Sequence, residues 1–435
     1  MNLKFRVLGW LLIAVLLGSF GALAEEGFTP PKTAKEMGLM QGFPPPADKR
    51  ISNQNFMQAP QNRWSFQHIR ELQPTREIYR GAGSASRLEN KPIDLDALEL
   101  TTSDDRRITF PRWQQESYTD SIVVLHQGKI VYEKYSNGMM PHTQHQMFSA
   151  TKSYIGTMVL VLAEQGRIDL ARTVGHYLPE LEGSAFYDAT VQQVLDMTTA
   201  VKYSEDYLDR DSDIWRYGYV FSLWGGPPDG YKGPTNLYDY LPTLRKQGEH
   251  GHAFHYVTPN TDVLGWIISR VANQSVSAAL ESILFQPLGA ERDAYIWLDG
   301  SATEMAGGGL SVTARDAARF GQMILNKGQF NGQQIIPASV AVRILRPGDP
   351  APFNRFYQDP WYGQVAFAYH DQWWTFNNTH KGVSALGIHG QQIYLDSTAQ
   401  MVVVKQSSDP EPESDINETD SPLVYQAIAE HLMKR

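Results

Sequence analysis

The sequence predicts an α/β fold of the α+β type: an antiparallel sheet flanked by helices, with a mainly helical lobe inserted between its strands. Three observations predict it. Runs of β-branched residues indicate strand pairs near residues 121 and 392, apolar helical patterns lie between those pairs, and the chain closes with an amphipathic pattern of helical period. Because strand pairs occur at both ends of a helical middle, we expect the N- and C-terminal parts of the chain to share one sheet.

The first 24 residues have the pattern of a secretory signal. Lys4 and Arg6 precede a mainly apolar run, residues 7–17, and small residues then lead to Ala24. The apolar run is short for a helix that spans a membrane. We therefore expect cleavage after Ala24, export to the periplasm or the medium, and no stable membrane insertion afterwards. A retained N-terminal anchor is the alternative.

The mature chain begins with a segment of low periodicity. Residues 25–105 are rich in Pro, Asn, Gln and Arg, which predicts an extended segment that wraps the body. The main domain then covers residues 106–435. Its first strands form a hairpin from residues 121–126 and 129–134, joined by Gln127-Gly128.

The rest of the main domain alternates helical and strand patterns. Residues 149–165 are apolar nearly all round, so we expect a buried helix there. Residues 167–270 combine helices with aromatic-rich loops and form the predicted helical lobe. A second hairpin follows at residues 392–396 and 401–405, and residues 421–434 predict a C-terminal helix.

Composition excludes several classes of function. The chain has no cysteine, so disulfides, zinc–thiolate sites and a thiol nucleophile are ruled out. A formal charge of −9 without a basic run argues against nucleic acid as a partner. We expect no cofactor and no metal. His250, His252 and His255 are the alternative to consider as a zinc cluster, although their spacing matches no known ligand pattern.

The first chemical candidate is a serine followed by a lysine one helical turn later. Ser149-Ala150-Thr151-Lys152 is the only Ser-x-x-Lys in the chain, and it opens the apolar helix. Ser149 would lie at the positive end of the helix dipole, with Lys152 on the same face. A lysine in a dry site can lose its proton near neutral pH and serve as the base for a serine nucleophile. The alternative is that Ser149 caps the helix and Lys152 is a solvated charge.

Two further polar clusters could complete such a site. Tyr256 and Thr258 precede an apolar helical stretch, where Tyr256 could shuttle a proton and Thr258 could hydrogen-bond Lys152. They could equally cap and pack that helix. The glycines around Ile388 would let a substrate approach the backbone, so amides near Ile388 are candidates for an oxyanion hole. The alternative there is a simple turn, with His389 as a structural histidine.

Together these motifs resemble those of the serine β-lactamase and penicillin-binding-protein superfamily, in its class C-like branch. The likeness rests on Phe148-Ser-Ala-Thr-Lys152, Tyr256-x-Thr258 and the run that starts at Gly307-Gly308-Gly309, and it covers roughly residues 105–430. Within the superfamily the chain looks most like 6-aminohexanoate-dimer hydrolases and related esterases. That likeness is carried by Val194-Leu-Asp-Met197, Gln372-Trp373-Trp374 and Gly387-Ile-His-Gly-Gln391.

The resemblance implies a role for each candidate residue. Ser149 would be the acylated nucleophile, Lys152 its base and Tyr256 a proton relay, and the backbone amides of Ser149 and Ile388 would form the oxyanion hole. Support or substrate contacts are expected from Thr258, His389, Trp373 and Trp374. Aromatic residues in the cleft would suit an apolar acyl or amide chain.

Departures from the superfamily pattern narrow the expected substrate. β-Lactamases and DD-peptidases usually place Lys or His, then Thr and Gly, on the inner strand, where this chain reads Ala385-Leu386-Gly387. Without that cation, a substrate carboxylate loses a partner. Thr258 also replaces the more usual Asn or Ser of the second motif, although its hydroxyl can still accept a bond from Lys152.

The expected function is therefore a serine hydrolase that cleaves a small ester or amide through an acyl-enzyme on Ser149. One alternative is a β-lactamase or DD-peptidase acting on cell-wall-type substrates. The other is a catalytically weak, wall-associated binding protein that keeps the fold.

Overall fold

The centre of the structure is an eight-stranded sheet, seen in a computed structural model that describes residues 28–357, 367–376 and 378–435. The expected signal segment, residues 1–24, lies outside the described residues. The strands in chain order are β1 (Thr75–Ile78), β2 (Glu89–Asn90), β3 (Glu99–Thr101), β4 (Arg107–Thr109), β5 (Thr119–His126), β6 (Lys129–Tyr135), β7 (His145–Gln146), β8 (Ala294–Trp297), β9 (Leu310–Val312), β10 (Gln329–Phe330), β11 (Gln333–Gln334), β12 (Phe367–His370), β13 (Trp373–Phe376), β14 (Val383–Gly387), β15 (Gln391–Asp396) and β16 (Met401–Ser407).

Both ends of the main domain contribute to the central sheet, as the sequence predicts. Its order is β12-β13-β14-β15-β16-β5-β6-β2, and the C-terminal strand β16 pairs antiparallel with β5. The predicted hairpins are confirmed as β5–β6 and β15–β16. The turn of the first hairpin places Gln127 and Gly128 in the left-handed region, at φ values of 51° and 76°. The predicted α+β arrangement is thus correct.

Helices pack on both faces of this sheet. Most of them lie in the chain between β6 and β12. In chain order they are α1 (Asn62–Ser65), α2 (Phe110–Glu116), α3 (Thr151–Glu164), α4 (Val174–Tyr177), α5 (Val191–Leu195), α6 (Asp213–Val220), α7 (Leu237–Tyr240), α8 (Pro259–Ala272), α9 (Val276–Leu280), α10 (Gln286–Leu288), α11 (Ala314–Leu325), α12 (Ala338–Ile344), α13 (Ala351–Phe356), α14 (Asp415–Glu418) and α15 (Asp420–Met433). The expected apolar helix is α3, which is buried over most of its length. The expected C-terminal helix is α15. Within the described residues, none of these helices has the length and apolar character that crossing a bilayer requires.

The segment before the main domain has more regular structure than the sequence predicts. It supplies β1 to a second sheet of order β1-β8-β9-β7, and β2 to the edge of the central sheet. A buried ion pair of 2.8 Å joins Arg63 of this segment to Asp120 on β5. Strands β1 and β2 are four and two residues long and mostly exposed or half-buried, so their local sequence shows no alternating period. The described part of Pro31–Arg435, helical region included, forms one compact unit.

Gln372, in the turn between β12 and β13, is buried and contacts three helices. Its side chain contacts two of them, and its backbone carbonyl contacts the third. The Gln372 amide donates to the carbonyls of Val194 and Leu195 near α5, at 3.2 and 3.0 Å, and accepts from the Thr261 hydroxyl of α8 at 2.6 Å. The Ser153 hydroxyl of α3 donates to the Gln372 carbonyl at 2.7 Å. Gln372 therefore fixes α3 and α8, the two helices that carry the first two motifs, against the sheet.

Replacing Gln372 with leucine tests that role. Gln372→Leu removes the side-chain amide, while the Leu195 and Val194 carbonyls keep donors from the backbone amides of residue 372 and Met197. The buried Thr261 hydroxyl is left without its acceptor, which costs about 1 to 3 kcal/mol. We expect a lower free energy of unfolding, measured by urea denaturation. Gln58→Leu, at an exposed position, is the matched control and should unfold near the parent midpoint. Equal midpoints for the two variants would contradict the assignment.

Candidate active site

Ser149 lies in a 3-10 turn, Phe148–Ala150, that leads directly into α3. The turn begins with Phe148 at a φ of 44°, a left-handed conformation that a non-glycine residue adopts only when its surroundings impose it. Those surroundings are aromatic: the Phe148 ring packs edge-on against Phe66 with centroids 4.8 Å apart. Ser149 itself is half-buried. The turn thus presents its hydroxyl to a cavity while its backbone is held from behind.

Lys152 is fully enclosed, with 1% of its surface exposed, so it is not a solvated charge. Its Nζ donates to the Ser149 Oγ at 2.9 Å, to the Thr258 Oγ1 at 3.0 Å and to the Gly307 carbonyl at 2.6 Å. The predicted contact between Thr258 and Lys152 is confirmed. All three acceptors of the ammonium are therefore neutral groups.

The hydrogens around Lys152 can be assigned from these contacts. The Thr258 hydroxyl donates its hydrogen to Glu205 Oε1 at 2.5 Å, so toward Lys152 it can only accept. The Gly307 carbonyl can also only accept. When Lys152 is neutral, two N–H groups are used on these acceptors and the remaining lone pair faces the Ser149 Oγ. The arrangement can therefore take a proton from Ser149.

Burial controls the charge on this lysine. It lowers the pKa of Lys152 to about 8, while the nearby Glu205 and Asp262 carboxylates raise it and limit the shift. Burial also raises the pKa of Glu205, whereas the positive charge of Lys152 lowers it. Lys152 is thus easier to deprotonate than a surface lysine, yet it keeps acidic neighbours that stabilise its protonated form.

Asp262 fixes the carbonyl that receives Lys152. It accepts from the Gly307 amide at 2.9 Å through Oδ1 and from the Tyr217 hydroxyl at 2.7 Å through Oδ2. A Cβ at Gly307 would lie 2.8 Å from Thr258 Cγ2, so only glycine fits between these groups. The glycine-rich run, a non-catalytic signature in the sequence, therefore supplies one wall of the lysine site.

Tyr256 borders both Ser149 and the cavity. Burial raises the pKa of the Tyr256 hydroxyl well above 10, while a hydrogen bond with the Ser149 side chain lowers it by a smaller amount. The phenol therefore stays protonated. Its ring stacks on Trp374 at 5.7 Å, and the Lys152 Nζ lies 5.2 Å from the ring centroid. Tyr256 thus lies beside Ser149 and lines the same cavity.

The end of β14 reaches the serine turn. A Cβ added to Gly387 would meet the Met147 carbonyl, and it would lie 3.1 Å from the Ala150 amide. Glycine therefore allows the strand to touch the turn that carries Ser149. Ile388 comes next, and it lines the cavity together with Ser149. The two candidate oxyanion-hole residues thus face one space.

That space, the active-site cavity, measures about 150 Å³. Its lining residues are Ser149, Glu205, Tyr207, Tyr256, Phe353, Tyr357, Phe367, Trp374, Leu386, Gly387, Ile388, Gly390, Gln391, Gln392, Pro412, Glu413, Asn417 and Glu418. Aromatic rings form much of its wall, and three glutamates border it. Among the described lining residues there is no Lys, Arg or His. The aromatic wall is compatible with an apolar chain, and the described lining residues offer no cation to a substrate carboxylate.

Trp373 and His389, two of the predicted supporting residues, do not line the active-site cavity. Trp373 is fully buried, with 0% of its surface exposed, and stacks on Phe320 at 5.9 Å. Because neighbouring residues of a strand point to opposite faces, Trp374 reaches the cavity and Trp373 does not. His389 is also buried, and its Nδ1–H donates to the Asp409 carbonyl at 2.8 Å. Burial lowers its pKa to about 4, so it is a neutral structural histidine.

Other residues of the site are not evident from the sequence. Glu205 and Tyr207 lie in an irregular polar loop without a motif, and Asp262 lies inside the second motif but shows no separate signal. Glu413 precedes α14 and Glu418 is its last residue, and neither belongs to a motif. What could have indicated Asp262 is its helical spacing from Thr258, four residues earlier on the same face.

The histidines considered as a zinc cluster have other contacts. The His250 Nδ1 accepts from the Ala200 amide at 2.8 Å and its Nε2 pairs with Asp188 at 3.1 Å. His255 stacks on Phe356 with centroids 4.4 Å apart. Across the described ranges, no group of three or more His, Cys, Asp or Glu side chains is arranged to hold a metal.

Comparison with known proteins identifies the family. The β-lactamase family profile matches residues 105–424. The chain is 36% identical, over 366 residues, to a 6-aminohexanoate-dimer hydrolase from Paenarthrobacter ureafaciens, a match that covers 83% of this chain and 88% of the relative. It is 25% identical over 147 residues to a β-lactamase from Providencia stuartii, covering 34% of this chain and 33% of that protein.

Comparison with solved structures supports the same family. A structure assigned as a 6-aminohexanoate-dimer hydrolase from Bacillus anthracis superimposes with a TM-score of 0.80 at 31% identity, covering 89% of this chain and 99% of the other. A family VIII carboxylesterase shares the fold, with a TM-score of 0.53 at 18% identity over 72% of this chain and 92% of its own. The profile match and the 36% identity each span most of the chain. The chain belongs to the β-lactamase family of serine hydrolases.

Proposed function

We propose that the chain hydrolyses small amides or esters through an acyl-enzyme on Ser149. The observation that carries the proposal is the set of hydrogen bonds at Lys152. They leave the lone pair of the neutral lysine facing Ser149. Burial makes that neutral form accessible, with a pKa of about 8. A serine hydroxyl needs such a base to become a nucleophile.

The proposed reaction follows from these positions. Lys152 takes the Ser149 proton as Oγ attacks the substrate carbonyl, and the resulting oxyanion accepts from the backbone amides of Ser149 and Ile388. Tyr256 gives its proton to the leaving amine or alkoxide and recovers the proton that Lys152 took from Ser149. The carbonyl bond to the leaving group breaks, which leaves the acyl group on Ser149. Water then attacks the ester by the same proton path in reverse.

The cavity favours a linear, largely apolar acyl or amide chain. Phe367 and Trp374 form part of its wall, and the position of the inner-strand cation is Ala385, which is buried. This supports a small amide or ester over a penicillin or a peptidoglycan stem peptide. The relatives named for 6-aminohexanoate dimers make linear ω-amino-acid amides the first substrates to test. We also propose export, on the strength of the N-terminal pattern in the sequence.

Removal of the nucleophile is the first test. With p-nitrophenyl acetate as substrate, Ser149→Ala should lose at least about 10³-fold in kcat, because no other group can form the acyl-enzyme. Ser282→Ala, at an exposed position, is the control and should match the parent. Equal hydrolysis by Ser149→Ala and the parent would refute the nucleophile.

The pH profile tests the base. Since Lys152 must be neutral, kcat/KM should rise about tenfold per pH unit below 8 and level off above that pH. Glu205→Gln removes a negative charge that raises the pKa of Lys152, so its profile should rise at lower pH than that of the parent. The midpoint is measured with a neutral ester. Glu430→Gln, at an exposed position, should leave the midpoint unchanged, and an unshifted Glu205→Gln profile would contradict the assignment.

Exposure to a fluorescent penicillin separates the proposal from a β-lactamase or DD-peptidase. Because the lining offers no cation to the penicillin carboxylate, we expect intact mass spectrometry to show no stable adduct on Ser149 and no turnover of the lactam. The positive control is acylation by the activated ester under the same conditions. A Ser149 adduct with the penicillin would favour the cell-wall alternative.

A further inference from the structure

A second buried lysine, Lys405, has no part in the reaction proposed above. It lies on β16 with 0% of its surface exposed, and it does not line the active-site cavity. Its Nζ donates to the Gly390 carbonyl at 3.0 Å and to Asn417 Oδ1. It also lies 5.5 Å from the centroid of the Trp113 ring. Among the described residues, no carboxylate forms an ion pair with it.

The two acceptors of Lys405 belong to different segments that meet beside the catalytic serine. Gly390 ends the oxyanion turn, Ile388–Gly390, which carries the Ile388 amide. Asn417 belongs to the stretch between β16 and α15, residues 408–418, which includes the short helix α14 and is here termed the C-terminal loop. Both Gly390 and Asn417 line the active-site cavity. Lys405 therefore joins, from behind, two segments that form the cavity wall.

The fit at this junction is close. Gly390 has a φ of 86°, and a Cβ there would lie 2.6 Å from Asn417 Oδ1 and 2.9 Å from the Lys405 Nζ. On the neighbouring strand, the Gln392 side chain donates to the Asn417 carbonyl at 2.6 Å. The Asn417 amide nitrogen donates to Asp409 Oδ2 at 2.5 Å. Asn417 is thus fixed in the orientation that turns its oxygen toward Lys405.

The oxyanion turn needs external support. His389, the residue after Ile388, has a φ of 60°, which is unfavourable for a non-glycine residue. It is held by the C-terminal loop, because its amide donates to the Pro412 carbonyl at 2.8 Å and its Nδ1–H to the Asp409 carbonyl at 2.8 Å. Lys405 provides the corresponding tie at Gly390. The turn is therefore held at its strained residue and at the residue that follows it.

We propose that Lys405 is a positioning residue that fixes the oxyanion turn and, with it, the direction of the Ile388 amide. The proposal rests on the proposed function, in which that amide stabilises the oxyanion. Enclosing an ammonium group with only neutral acceptors is costly, and an apolar side chain would pack the same space without that cost. Its retention is accounted for by the two bonds to Gly390 and Asn417. The Lys405 side chain acts as a hydrogen-bond donor behind the cavity wall and does not line the cavity.

The consequence is kinetic. Loss of one oxyanion-hole donor costs about 10²- to 10³-fold in kcat. A donor that is displaced rather than deleted costs less, so we expect about 10- to 100-fold. Because the ground-state carbonyl depends little on this donor, KM should change less than about twofold.

The experiment compares two replacements of Lys405. Lys405→Met keeps an unbranched chain of similar length without a donor, and we expect kcat to fall about 10- to 100-fold with KM nearly constant. Lys405→Gln keeps an N–H donor and should recover part of the loss. Val403→Ala, buried on the same strand, is the control for instability: it should lower Tm while keeping kcat.

A second readout isolates the oxyanion hole. Phenylboronic acid accepts an electron pair from the Ser149 Oγ at boron while the serine proton passes to Lys152. The product is a tetrahedral boronate anion, one of whose hydroxyl oxygens occupies the oxyanion hole. Its inhibition constant should rise in Lys405→Met by a factor similar to the loss in kcat. Asn417→Ala, which removes one acceptor, should act in the same direction. Combined with Lys405→Met it should add little, because both substitutions break the same contact.

The outcomes are distinguishable. If Ser149→Ala is inactive while Lys405→Met keeps the parent kcat and boronate affinity, the positioning role is wrong and the nucleophile stands. If kcat falls only in step with Tm, with Val403→Ala losing as much, Lys405 is merely structural and the proposal fails. Should Lys405→Met not fold, Asn417→Ala decides the question by the same kcat and boronate measurements. Activity independent of Ser149 would instead refute the proposed function itself.

Discussion

The structure depends on one constraint: Lys152 must be removed from water and yet supplied with acceptors. Burial alone would make the lysine unstable in its charged form, and three neutral acceptors offset part of that cost. Each acceptor comes from a different part of the chain. Ser149 precedes α3, Thr258 precedes α8, and Gly307 belongs to the glycine-rich run before β9. The lysine site exists only when these three segments are packed together.

Much of the surrounding architecture serves that packing. Gln372 joins α3 and α8 to the sheet, and Asp262 holds the Gly307 amide so that its carbonyl points at the lysine. Glu205 takes the Thr258 hydrogen and so determines which way that hydroxyl can bond. None of these three residues needs to touch a substrate in order to influence the reaction. Their effect is to leave the lysine lone pair one direction, toward Ser149.

The sequence predicts those parts of the fold whose pattern is local. The hairpins β5–β6 and β15–β16, the apolar helix α3 and the C-terminal helix α15 all show their period within a few turns or residues. Ser149, Lys152 and Thr258 could be assigned for a similar reason, since each opens a helix. The contact between Lys152 and Thr258 then followed from their chemistry.

What the sequence does not show is long-range pairing and the direction of individual side chains. Strand β1 is four residues long with only Ile78 buried, so it shows no alternating period, and its partner β8 lies more than two hundred residues later. Trp373 and Trp374 are chemically alike, and only the register of β13 decides which one reaches the cavity. Glu205 lies in an irregular loop and acts through Thr258, so nothing in its own neighbourhood indicates a role.

The pairing of β16 with β5 has a consequence for biosynthesis. Strand β16 follows β5 by more than two hundred residues, so the central sheet cannot close until β16 has been synthesised. Contacts between such distant segments form slowly, because a long loop must be ordered first. Ser149 meets the oxyanion turn only across this late-forming sheet. A nascent or truncated chain therefore lacks an assembled site, and hydrolysis begins only when the C-terminal strands are in place.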